Sequence, residues 1–306
     1  MKHFLQLSDH PAEALKHVME VALRLKKQHR ATGRNEPLLA GRVVATIFEK
    51  PSLRTRVSFS VATAHLGGTA LELRQDEVGI DTREPAKDVA RVLSGMCDAI
   101  VIRTFGQDKV ERLAEFGSVP VINALTDLCH PCQAMADVMT LLEHFKEVQG
   151  KTVAFIGDGN NVARSLAVAC GKWGMKFVLA APKGYELPET DVRRLEGQVP
   201  GLVVRQTHDP KEAATGADCL YTDTWVSMGQ EAEKAKRVKE FAGFTVDEAL
   251  LGMASPGAVV MHCLPAYRGY EISDGAMEHE RSLVFQQAEN RLHVQKAILA
   301  VLLGGA

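Results

Sequence analysis

Short β-branched runs alternate with amphipathic helical stretches along almost the whole chain, and this alternation constrains the fold more than any other feature. Runs at 43–48, 69–73, 98–102 and 119–123 are separated by helical patterns near 55–66, 86–96 and 107–116. Strand, helix and strand in succession is the unit of a parallel sheet, because each crossover lays a helix on a sheet face. Gly150 ends the first series, and Thr152-Val153-Ala154-Phe155-Ile156 starts a second that continues at 176–181, 202–206, 218–222 and 258–262. A chain of 306 residues exceeds one ordinary core. The pattern therefore predicts an α/β protein of two domains, each a parallel sheet flanked by helices, with an active-site cleft between them. The expected domains are 1–149 and 150–286, followed by a C-terminal helix, 287–306, that packs back on the N-terminal domain. Pro131 opens a further long helical stretch, as proline is tolerated in a first helical turn, and this helix is expected to bridge the lobes.

Composition narrows the partners. With 36 Lys+Arg against 38 Asp+Glu the formal net charge is −2, and no long run of one sign appears, so neither nucleic acid nor an acidic membrane surface is expected as a partner. Any anion has to be captured locally. The start, Met1-Lys2-His3-Phe4-Leu5, lacks a charged segment leading into an apolar one, and no stretch reaches the roughly 20 apolar residues of a membrane span. A cytoplasmic protein is the expectation. Six cysteines, Cys97, Cys129, Cys132, Cys170, Cys219 and Cys263, show no disulfide-framework spacing. Cys129-His130-Pro131-Cys132 has the C-x-x-C spacing of redox motifs and of half a zinc site, but a second ligand pair is missing and the thioredoxin-like context is absent.

Two strand-to-helix junctions carry chemistry. Ser52-Leu53-Arg54-Thr55-Arg56 follows the run 43–48 and opens a helix, whose first amides lack intrahelical partners and whose dipole is positive there. Hydroxyls at Ser52 and Thr55 suit a cap or a phosphate oxygen, and Arg54 offers a planar fork of donors to a phosphoryl dianion. A plain helix cap with solvated arginines fits the pentapeptide equally well. Gly157-Asp158-Gly159-Asn160-Asn161-Val162 occupies the position of a nucleotide-binding turn, yet Val162 fills the third glycine position of G-x-G-x-x-G. Asn160 and Asn161 make polar recognition of a small ligand the better reading than dinucleotide binding. Arg103, His130, Gln133, Asp223 and His262-Cys263 also fall at strand or helix ends, the edge of open α/β sheets where ligands bind.

Taken in order, Ser52-Leu53-Arg54-Thr55-Arg56, His130-Pro131-Cys132-Gln133, Asp223-Thr224-Trp225-Val226-Ser227-Met228-Gly229 and His262-Cys263-Leu264-Pro265 resemble the signatures of the aspartate/ornithine carbamoyltransferase family. The resemblance covers almost the whole chain. The first two motifs match the family at large, and the last two, with Gly157 to Asn161, match its ornithine branch. It implies transfer of a carbamoyl group from carbamoyl phosphate to the side-chain amine of L-ornithine, giving L-citrulline and phosphate in arginine metabolism. By this resemblance Ser52, Leu53, Arg54, Thr55, Arg103, His130, Gln133, Cys263, Leu264 and Arg291 bind carbamoyl phosphate, with Gln75 reaching a neighbouring subunit's site. Asn161, Asp223, Ser227 and Met228 bind ornithine. Arg54, Arg103, His130, Asp223 and Cys263 are the catalytic candidates. The resemblance further implies a homotrimer or an assembly of trimers. Leu53 departs from the family's usual Thr, a change expected to cost about 0.5–1.5 kcal/mol if that hydroxyl bonds phosphate.

These groups suit the reaction. Ornithine's amine must lose a proton before it attacks the carbonyl carbon, and phosphate must leave as its charge grows. Asp223 and Cys263 are expected to orient the amine and accept from it, His130 to polarise the carbonyl, and the arginines and helix amides to favour the departing phosphate. Neither a metal nor an organic cofactor is expected, because the donor is already activated. The Ser227-Met228-Gly229 stretch is expected in a loop that closes over ornithine and excludes water. Rival readings are another amine acceptor with the same donor, such as aspartate, putrescine or an N-acylated ornithine; a non-catalytic anion-binding protein on the same fold; and an oxidoreductase built on Gly157 to Val162.

Overall fold

The computed structural model describes residues 1–227 and 229–304. It divides into two compact units, residues 1–139 with 289–306 and residues 140–288.

The first unit holds a four-stranded sheet in the order β2-β1-β3-β4, with β1 at Val43–Phe48, β2 at Thr69–Arg74, β3 at Ala99–Arg103 and β4 at Val121–Leu125. All pairs are parallel. β3 and β4 are buried along their whole length, which is why they read as unbroken apolar runs, whereas edge strand β2 is mostly exposed. Ile47, Ile100, Ile102, Val110, Leu113 and Val121 belong to one core beneath the sheet. The strand order reverses between β1 and β3, where Phe48 lies opposite Arg103. Chains leaving the carboxyl ends of two such strands run in opposite directions and leave a crevice there.

The second unit repeats the logic with five parallel strands in the order β7-β6-β5-β8-β9. They span Thr152–Ile156 (β5), Lys176–Ala180 (β6), Val204–Thr207 (β7), Cys219–Thr222 (β8) and Val259–His262 (β9). The reversal falls between β5 and β8, where Ile156 faces Thr222 in register. Residues 157–161 and Asp223 therefore leave the sheet side by side. The helix starting at Pro131 runs to Phe145, and the last helix covers Val284–Leu302. No described helix is long and apolar enough to cross a membrane.

Candidate active site

In the first unit, Ser52 caps helix Leu53–His65 by accepting the Thr55 amide at 3.3 Å. The cap fixes the helix start against the end of β1, so Arg54 and Thr55 occupy its first turn. Thr55 is fully buried, and its Oγ1 accepts from Arg291 Nη2 at 2.6 Å. Arg291 Nη1 donates to Gln133 Oε1 at 3.1 Å, and Gln133 Nε2 donates to Asp137 Oδ1 at 2.8 Å. One polar chain thus ties the capped helix to helix Pro131–Phe145 through the last helix. Each member is buried, and each bond is worth more there than at the surface.

His130 precedes helix Pro131–Phe145 and is 4% exposed. Burial first, then the cations of Arg291, Arg103 and Arg54, hold its pKa well below the usual imidazole value. A neutral imidazole amid three guanidinium groups is a signature of a site built for an anion: the charges are in place before a ligand arrives. The Arg103 carbonyl accepts the Glu49 amide at 2.9 Å, which fastens the β3 end to the turn after β1. Arg56 serves elsewhere, donating to Glu72 Oε1 at 2.5 Å while lying over the Phe48 ring. Leu53 is 73% exposed, and Gln75 is exposed at the head of the short helix Gln75–Val78.

The C-x-x-C thiols have separate structural duties. Cys129 Sγ donates to the Leu5 carbonyl and Cys132 Sγ to the Asn123 carbonyl, and burial pushes the Cys132 thiol up to about 12. A thiol so disfavoured as thiolate is a poor redox nucleophile.

In the second unit, Asp223 emerges from β8 and is 8% exposed. Its Oδ1 accepts the Thr224 amide at 2.8 Å and the Cys263 thiol at 2.9 Å, while Oδ2 accepts from Asn160 Nδ2 at 2.8 Å. Cys263 is held in turn by its neighbours. His262, fully buried at the end of β9, accepts the Leu264 amide on Nδ1 at 2.8 Å, so its proton sits on Nε2 and is given to Glu271 Oε1 at 3.0 Å. Leu264 takes φ +59°, an uncommon conformation for a branched residue, and the His262 bond helps to pin it. Ligand atoms of Asp223, His262 and Cys263 lie within 4.8 Å of one another. Both His262 nitrogens are already committed, so a metal ion would first have to break one of those bonds.

The turn after β5 is rigid. Gly157 adopts φ +143°, which side chains rarely tolerate, and a Cβ on Gly159 would lie 2.5 Å from the Leu187 amide nitrogen. Asn160 caps helix Asn161–Lys172 through Oδ1, accepting the amides of Val162 and Ala163. Asn161 begins that helix, and its carbonyl accepts from Ser165 Oγ. Asp158 accepts from the buried Arg237 at 2.8 Å, and Arg237 also donates to the Trp225 carbonyl. The Ser227 amide donates to Gln230 Oε1. Met228 lies outside the described residues.

The structure thus gathers Ser52, Arg54, Thr55, Arg103, His130, Gln133 and Arg291 in the first unit. It gathers Asp223 and Cys263, with Leu264 beside them, in the second. Sequence reasoning passed over Glu271 and Arg237. Neither lies in a motif, and Glu271 follows its partner by nine residues without any periodic signal. In the turn after β5 it is Asn160 that is bonded to Asp223.

Residues 2–143 match the family model described as aspartate/ornithine carbamoyltransferase, carbamoyl-P binding domain, and residues 149–302 match its Asp/Orn binding domain. An ornithine carbamoyltransferase of Pelobacter propionicus is 48% identical over 305 residues, covering 99% of each chain. The solved ornithine carbamoyltransferase of Pyrococcus furiosus superposes with a TM-score of 0.95 at 46% identity, covering 100% of this chain and 98% of that one. An acetylornithine transcarbamylase complexed with acetylcitrulline superposes at 0.87 with 30% identity, covering 99% of each. The fold therefore serves more than one acceptor.

Proposed function

Because the chain belongs to the aspartate/ornithine carbamoyltransferase family, we propose that it transfers the carbamoyl group of carbamoyl phosphate to the side-chain amine of L-ornithine, yielding L-citrulline and phosphate within arginine metabolism. The observation that carries the reading is the neutral His130 amid Arg54, Arg103 and Arg291, beside a capped helix start. This arrangement suits a dianion that gains charge as it leaves.

In this reading Ser52, the Leu53 amide, Arg54, Thr55 and Arg103 hold the phosphoryl oxygens. His130, held neutral, donates to the carbamoyl oxygen and polarises the carbon. Arg291 and Gln133 hold the donor end of the site in shape while contributing charge and hydrogen bonds. Asn161, Asp223, Ser227 and Met228 bind ornithine. Asp223 and Cys263 orient its neutral amine, with Leu264 placed by the same turn. The amine nitrogen forms the new C–N bond, the C–O bond to phosphate breaks, and the amine proton leaves toward Asp223 or the departing phosphate. Residues 1–149 would serve the donor and 150–286 the acceptor, with 287–306 completing the donor side.

A homotrimer, or an assembly of trimers, belongs to the proposal. Leu53, Val57, Leu71, Val92 and Met96 are exposed apolar residues of the first unit, as an uncovered subunit surface would present, and Gln75 would enter a neighbour's site from there. Six buried cysteines, none of them in a disulfide, suit the reducing cytoplasm.

Steady-state assays with carbamoyl phosphate and a panel of ornithine, N-acetylornithine, putrescine and aspartate test the reading. Ornithine should be the preferred acceptor, and preference for any other amine refutes the assignment. Arg54→Ala should abolish turnover in a folded protein; retained turnover would place the phosphate elsewhere.

A further inference from the structure

The Asp223 carboxylate is set by a residue that the family resemblance leaves without a role. Asn160 occupies the turn between β5 and helix Asn161–Lys172, and both ends of its amide are in use. Its Oδ1 accepts the amides of Val162 at 2.9 Å and Ala163 at 3.1 Å. Only an oxygen can accept there, so the NH2 group must face the other way, where Nδ2 meets Asp223 Oδ2 at 2.8 Å. The other Asp223 oxygen carries the Thr224 amide and the Cys263 thiol. Asn160 thus settles which oxygen faces Cys263 and how the carboxylate plane is turned.

The support behind Asn160 is stiff. The Gly159 amide donates to the Tyr185 carbonyl at 2.7 Å, and the close approach of Leu187 leaves no room for a side chain at Gly159. Asp158, one residue earlier, is bonded to Arg237. A helix cap normally satisfies amides and nothing more. Here the cap's spare donors face the carboxylate expected to receive the acceptor amine.

We infer that Asn160 is a positioning residue for acceptor chemistry, acting through Asp223 by locking the carboxylate and the Cys263 thiol bonded to it. This rests on the proposed ornithine reaction, which makes Asp223 the group that orients the amine. Misplacement of a reacting group by an ångström costs on the order of 10²-fold in rate.

Asn160→Ser tests the inference, since serine retains a capping oxygen and removes the donor to Asp223. With the full-length protein, kcat/KM for ornithine should fall by roughly 10–100-fold, while KM for carbamoyl phosphate stays within about twofold and the melting temperature is nearly unchanged. Asn160→Asp also keeps a cap but sets a second carboxylate against Asp223, so its loss should be larger. A second readout needs no turnover: peptide-mapped alkylation of Cys263 by iodoacetamide should quicken by roughly threefold or more in Asn160→Ser, as the thiol loses its fixed acceptor. Wild-type kcat/KM with wild-type alkylation at Cys263 would overturn the role of Asn160. If the wild-type protein itself fails to carbamoylate ornithine, the functional reading falls, and the alkylation comparison alone still decides whether Asn160 positions Asp223.

Discussion

Replacing Glu271 isolates the buried bond that holds the Cys263 turn. Glu271 is 1% exposed, and its Oε1 accepts both the Tyr267 amide at 2.6 Å and the His262 Nε2 proton at 3.0 Å. Glu271→Ala leaves two donors behind, one on a fully buried ring, and each such orphan costs about 1–3 kcal/mol. Glu271 also borders a cavity of about 140 Å³ lined by Trp225, Lys234 and Tyr270, from which water can reach the vacated space. That relief sets the expected loss near the lower bound of two orphans with a small packing term, about 3 kcal/mol. Glu271→Gln keeps an acceptor oxygen and loses only charge assistance, so about 1 kcal/mol is expected. The assay is urea denaturation followed by tryptophan fluorescence. Trp173 and Trp225 are the only two tryptophans, and both lie in the second unit, so the signal reports the unit that holds Glu271. An Ala variant that loses less than about 1 kcal/mol, or a Gln variant as damaged as Ala, would refute the view that these two donors define the role of Glu271.

Leu53→Thr should tighten carbamoyl phosphate about two- to tenfold without changing stability, because position 53 is 73% exposed; an unchanged KM would remove phosphate from that side chain's reach. Arg291→Met removes the bonds to Thr55 and Gln133 and one cation beside His130. KM for carbamoyl phosphate should rise about tenfold or more, and the acid limb of the pH–rate profile should move up as His130 becomes easier to protonate. His293 is buried beside Lys296 and Lys26 with Glu289 as its acceptor, and burial above all lowers its pKa to about 4. The unfolded chain then binds a proton below pH 6.5 that the folded chain resists, so stability is complete above that pH and falls as the pH drops toward 4. Between pH 6.5 and 5 the loss from this group should be about 2 kcal/mol by calorimetry, and His293→Gln should flatten the slope.

Local rules made much of this molecule legible before its structure. Among the described residues the β-branched runs located the nine strands to within two residues at each end, most plainly β3 and β4, where full burial leaves a strand little choice but apolar residues. The capping role of Ser52 was readable for the same reason, since a cap acts over three residues. Boundaries at 119–123 and 202–206 were each placed early, as the strands begin at Val121 and Val204. Pro120 and the turn at Gly201 precede those strands, and a run of apolar residues does not by itself mark where ladder hydrogen bonds begin.

What the sequence alone determined was therefore the two parallel sheets and the strand ends at which the candidate residues fall. Tertiary structure decided which groups those residues are bonded to. Arg291 meets Thr55 across 236 positions and Gln133 across 158, separations on which no periodicity bears. Burial and three converging guanidinium groups hold the His130 pKa well below the usual imidazole value, a sum of distances rather than a motif. Asn160 and Asn161 are the same residue type one step apart. Which of them faces Asp223 is settled by the helix start that consumes one amide oxygen, and by the adjacency of β5 and β8 that brings residue 223 to meet the nitrogen.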